Sequence, residues 1–159
     1  MPDTKYQQKR PLPVFAYNTS FSQERPGMGH RTRTSVTTGS IGEFELSENA
    51  EAMLRRLDKF RRIPDDWDSC GAMASSEDAI QAGKRFVRAL DRLRQHIDFT
   101  APGPNGEVSV ELKFGTKYME FVFYPAGKWK YTAFEDKVLA RQGNYDNTDL
   151  PSLLRWLNH

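Results

Sequence analysis

The chain has one cysteine, Cys70, so no disulfide can form within it. That excludes a cross-linked secreted scaffold and suits a reducing compartment. No apolar run approaches the length that spans a bilayer. Residues 1–15 lack the apolar stretch of a secretory signal. The expected location is therefore the cytoplasm, with no membrane partner. Charge of one sign is also missing: a formal net charge of +2 is too small to argue for nucleic acid from composition alone. Histidine is scarce (His30, His96 and His159), and with a single cysteine this excludes a conventional zinc site. No cofactor is expected.

What remains is a 159-residue chain, a length that fits one domain. Its hydrophobic share of 38% is low, but the shortage sits in the first 45 residues, so the rest can still build one core. Residues 1–45 read as an N-terminal arm, partly disordered or docked. They hold Pro2, Pro11, Pro13 and Pro26, the turn-rich segment 25–29 and few apolar residues. Gly27-Met28-Gly29 is not a phosphate loop, because no helix follows it and no strong strand precedes it. Residues 31–38, with alternating threonines, could add an edge strand.

Residues 46–159 are expected to form a single α+β domain. Ser47 is a plausible N-cap, and Ala50, Met53, Leu54, Leu57 and Phe60 then recur at helical spacing until Pro64 ends the helix. Ser75 or Ser76 caps a second helix, and Ser75 with Asp78 resembles a capping box. Its apolar stripe is Ala79, Gly83, Phe86, Leu90, Leu93 and Ile97. The turn cluster 101–106 starts a sheet. A last short helix near residues 150–157 offers Leu150, Leu153, Leu154 and Leu157.

The sheet reads as a three-stranded antiparallel meander packed on the two helices. Val108, Val110, Leu112 and Phe114 alternate with Ser109, Glu111 and Lys113. Gly115-Thr116 suits a two-residue hairpin with glycine first, and Pro125-Ala126-Gly127 a three-residue one. These turns place Leu112 opposite Met119, Val110 opposite Phe121 and Val108 opposite Phe123. They then set Phe123, Phe121 and Met119 opposite Trp129, Tyr131 and Ala133. Every one of these residues falls on one face, and a slip of one residue would mix the faces.

The same register puts Glu111 opposite Glu120, with Thr132 next across. Like charges opposed on a sheet destabilise it. Tyr118, Val122, Tyr124, Lys113 and Lys130 surround the pair. Three arrangements fit this outer face: lysines neutralising the glutamates, the arm folding over it with Arg31 or Arg33 meeting them, or another protein docking there. The candidate partner-binding residues are Glu111, Glu120, Tyr118, Val122 and Tyr124.

A second candidate is the loop around Trp67. The structural reading has Trp67 plugging the core while Asp66 and Asp68 accept backbone N–H groups. The functional reading has Asp65, Asp66 and Asp68 binding a metal or a basic partner, in a metal-dependent hydrolase that also needs Glu111 and Glu120 nearby. The spacing is not that of a calcium loop. The segment Asp66-Trp67-Asp68-Ser69-Cys70-Gly71-Ala72 resembles the Asp-Trp-Asp-Gly-Tyr-Gly-Ala segment of a broad family of small, uncharacterised bacterial proteins. The likeness spans about residues 54–134, with Gly106-Glu107-Val108 and Val110-Glu111-Leu112 matching the family's strand segments. Ser69, Cys70 and Leu112 stand where the family has Gly, Tyr and Trp. The resemblance implies the same layout of helix, segment, helix, turn and strands, a bacterial or phage setting, and no particular activity.

Cys70 has no histidine placed beside it by sequence, and the nearby aspartates would raise its thiol pKa, so a nucleophilic role is not expected. Lys84, Arg85, Arg88 and Arg92 line the polar side of the second helix and make nucleic acid an alternative partner. The leading expectation is a non-enzymatic protein-binding accessory module, immunity- or antitoxin-like or associated with a mobile element.

Overall fold

A computed structural model describes residues 45–159. Residues 1–44 of the arm, with Arg31, Arg33, His30 and the possible edge strand at 31–38, lie outside the described residues.

Helix α1, Glu48–Phe60, starts where sequence places it: Ser47 Oγ accepts the N–H of Ala50 at 3.2 Å. Such a cap contributes about 1 kcal/mol. Helix α2, Glu77–Arg92, is capped by Ser76, whose Oγ accepts the N–H of Ala79 at 3.1 Å. The capping box based on Ser75 does not form. The α2 stripe also stops short of Ile97. Arg94 turns left-handed (φ 55°), which breaks the helical period, so Leu93 is exposed while Ile97 enters the core from the loop.

The sheet has five strands, not three: β1 Phe99–Pro102, β2 Val108–Phe114, β3 Lys117–Phe123, β4 Trp129–Glu135 and β5 Val138–Asn144. They form an antiparallel meander in sequence order. The expected central register holds in full, from Val108 opposite Phe123 through Met119 opposite Ala133. Gly115 supplies the left-handed residue of the first hairpin (φ 59°). Two elements were missed. Strand β1 pairs Phe99 with Glu111 and Pro102 with Val108. Strand β5 follows a two-residue turn, Asp136-Lys137, with both residues left-handed (φ 50° and 66°). A bulge between Ala133 and Phe134 leaves Ala140 without a counterpart.

The core lies on one side of the sheet. Val108, Val110, Leu112, Met119 and Phe121 are fully buried there, against Ile80, Val87 and Leu90 of α2. Gly83 lets α2 approach β2: a Cβ at this position would come within 3.0 Å of Val108 Cγ2. Helix α3, Leu150–Asn158, buries Leu150, Leu153, Leu154 and Leu157. The two helices on the sheet are thus α2 and α3, whereas α1 leans on α2 and the β1 edge. An aromatic cluster fills the end of the core near residue 125. Tyr145, unforeseen from sequence, packs edge-on against Phe86, Phe121 and Phe123 and stacks on Trp129. No helix among the described residues is long and apolar enough to cross a membrane.

Candidate functional site

The outer face of the sheet is organised in rows. The central row runs Phe99, Glu111, Glu120, Thr132 and Gln142 across all five strands. On one side lie Ser109, Val122, Lys130 and Asn144; on the other lie Lys113, Tyr118, Phe134 and Leu139. The pair of carboxylates is therefore bracketed by a mixture of lysines, small polar groups and aromatic and apolar side chains.

Both carboxylates are half-buried, and burial pushes each above its ordinary range. For Glu111, Lys113, a hydrogen bond with Tyr118 and, more weakly, Arg56, which lies 3.7 Å over the Phe99 ring, pull in the opposite direction, while Asp98 adds to the rise. For Glu120, the charge of Glu111 adds to burial, and a hydrogen bond with Ser109 offsets part of it. The lysines do not form ion pairs with these glutamates among the described residues. Lys113 Nζ sits 5.7 Å from the centre of the Tyr118 ring, and Lys130 Nζ sits 5.6 Å from that of Tyr124. Tyr118 and Phe134 rings lie 6.0 Å apart. Burial raises the Tyr124 phenol, with Glu107 and Glu120 adding to the effect.

The Asp-Trp-Asp loop is a folded turn whose acids are occupied by its own backbone. Asp65 accepts the N–H of Ala74 at 2.7 Å and Asp66 that of Gly71 at 2.8 Å. Asp68 accepts from Cys70 and Ala72 at 2.8 and 3.0 Å, and these bonds hold its carboxyl low. Trp67 does not plug the core. It stays half-buried, and its indole N–H donates to the Met73 carbonyl at 3.3 Å. The loop's exit is tied to the turn before β2 through Met73 N–H to Pro104 O at 2.8 Å and Ser76 N–H to Gly106 O at 2.9 Å. Asp65, Asp66 and Asp68 are not brought to Glu111 and Glu120: among the described residues no three His, Cys, Asp or Glu side chains are grouped to hold a metal ion. Cys70 is exposed, and among the described residues no hydrogen bond joins its thiol to a histidine.

The basic candidates divide. Lys84 is mostly buried and donates to Asp58 Oδ1 at 2.8 Å, so it does not face a phosphate backbone. Arg85, Arg88 and Arg92 are exposed. On α1, Arg55 pairs with Glu51 at 3.0 Å, and Arg61 pairs with Asp58 at 2.9 Å and with Glu77.

Sequence reasoning missed two further surfaces. One is β5, all seven residues of which are exposed, Val138 and Leu139 among them. The other is a pocket of about 230 Å³ between α2 and the start of α3. The Asp136-Lys137 turn was the only local signal for β5. Nothing in the sequence marked the pocket. No family model matches the chain, and neither a curated protein nor a solved structure matches it.

Proposed function

We propose that this chain is a non-enzymatic protein-binding module whose partner docks on the outer face of the sheet. The observation that carries the reading is the Glu111–Glu120 pair. Two carboxylates stand directly opposite each other, half-buried, each with its pKa raised by burial. An arrangement that works against the fold persists where something outside stability favours it. A cationic side chain is the complement. A guanidinium can span two carboxylates, and Tyr118, Phe134 and Tyr124 offer ring faces for its flat sides. The partner is therefore expected to present Arg or Lys from an extended or helical segment. An immunity- or antitoxin-like role fits this chemistry, and the bacterial or mobile-element setting rests on the Asp-Trp-Asp resemblance alone.

The test is a pull-down with the full chain, repeated with Glu111→Lys and Glu120→Lys. Partners that depend on the face should be lost from the variant. For any partner recovered, calorimetry in two buffers of different ionisation heat should show proton release on binding below neutral pH, because a bound cation lowers the raised carboxyl pKa values. An unchanged set of partners, or binding without proton release, would count against the face.

A further inference from the structure

Helices α2 and α3 both pack on the inner side of the sheet. The α2 side chains Ala82, Arg85 and Ala89 share a pocket of about 230 Å³ with Trp129, Asn147 and Leu150 at the start of α3. At the other end, Asn158 Nδ2 of α3 donates to Gln95 Oε1, just beyond α2, at 3.0 Å. Two alanines seven residues apart open the groove, and Trp129 gives it an aromatic wall held by stacking on Tyr145. Just past the end of α2, Leu93 is 55% exposed. Arg85 lines the pocket, and two further exposed arginines follow it on α2, Arg92 lying beside Asp91 and Glu45. Arg85, Arg88 and Arg92 recur at helical spacing over about 10 Å of α2. Among the described residues none of the three has an ion pair within 4 Å, unlike Lys84, Arg55 and Arg61 nearby.

We propose that this groove is a second docking site, which takes a short acidic segment of another protein, with one apolar side chain in the pocket beside Trp129 and carboxylates on Arg85, Arg88 and Arg92. The pocket has room for one branched or aromatic side chain. Three aligned guanidinium groups match carboxylates spaced along a helix or an extended strand. Nucleic acid fits less well. The basic tract is short, and Glu77, Asp58 and Glu51 lie among the neighbouring basic residues, so a phosphate backbone would leave the positive field within a few nucleotides. The site shares no residue with the outer face, so each can fail without the other.

The experiment is an NMR titration of the full, isotope-labelled chain with three probes. These are a peptide with Leu residues set among glutamates, the same peptide with lysines for glutamates, and an oligothymidine. The glutamate peptide should shift the Trp129 indole N–H and the amides of Ala82 and Ala89. The double variant Arg85→Glu, Arg88→Glu should weaken it at least tenfold, about 1.4 kcal/mol or more. Both positions are exposed, so this variant should keep its fold. Ala89→Glu, which puts a like charge at the pocket mouth, should weaken it again. Three results would each overturn the proposal: equal or tighter binding of the lysine peptide or the oligothymidine, no shift at Trp129, and unchanged affinity in the arginine variant.

Discussion

The two faces of the central strands come from alternate residues of the same segments and are built on opposite terms. On the inner face, Val110, Leu112, Met119 and Phe121 are 0% exposed, and the polar residues that share that side of β2 to β4 are the half-buried Tyr131 and, at one end, the Lys117–Glu135 pair. On the outer face, the same strands oppose one glutamate to another and set tyrosines beneath lysines. The inner face secures the fold by removing apolar surface from water. The outer face spends part of that stability on two half-buried charges. A strand pair can thus be optimised for packing on one side while its other side is left to chemistry that folding does not need.

The strongest way to break this comparison is to truncate one side chain on each face. Phe121 touches Phe86 at 4.5 Å between ring centres and Tyr145 at 5.1 Å. Phe121→Ala should lose about 3–5 kcal/mol by urea denaturation. Val122→Ala, one residue along on the outer face, should lose less than about 1 kcal/mol. Similar losses would mean that the outer face is a second core.

A smaller effect of opposite sign sharpens it. Replacing Glu111 and Glu120 together by Gln should stabilise the protein at neutral pH by up to about 1 kcal/mol, because a like-charge pair disappears. The pH dependence separates this from a packing effect. Both carboxyls bind their proton more tightly in the folded chain than at the ordinary value of 4.5. The folded state therefore takes up protons first as pH falls, and stability should rise from neutral pH down to that value. Acids with lowered pKa behave in the opposite way. Arg61, with Gln81, holds Glu77 down to about 2, and hydrogen bonds from Thr148 hold Asp146 low. Their contributions are complete above the unfolded carboxyl values and are lost as pH falls towards 2. The wild type should show a rise, then a fall, in denaturation midpoint as pH drops; the double Gln variant should keep the fall and lose the rise.

The contrast between faces also explains what the sequence could reveal. Alternation is visible where a strand is buried on one side only, so β2, β3 and β4 could be registered from their turns, and with them the row Glu111, Glu120 and Thr132. Strand β1 has four residues and ends at Pro102, too short for a period to declare itself. Tyr145 enters the core from a connection, where no period exists to predict it. Trp67 was expected inside because a tryptophan in a short loop between helices usually packs. Its loop is instead held by the carboxylates of Asp65, Asp66 and Asp68 and does not need the indole as a plug. Arg85 and Ala89 were legible as positions on a helix, but their pocket depends on where α3 lies, which is a tertiary fact.

Strand β5 provides the smallest and most specific test, since it is exposed on both sides of the sheet. Its seven residues are all exposed, with Val138 at 68% and Leu139 at 48%, and they point to opposite sides of the sheet. If burial on one side is what makes a strand stabilising and legible, β5 should tolerate polar replacement on both. Val138→Thr and Leu139→Thr should each change the stability by no more than about 0.5 kcal/mol. Their effects should also be equal within error, whereas Phe121 and Val122 differ several-fold. A loss above about 1 kcal/mol at Leu139 alone would show that the row it shares with Phe134 and Tyr118 is packed like a core, and the distinction between the two sides of the sheet would fail at that edge.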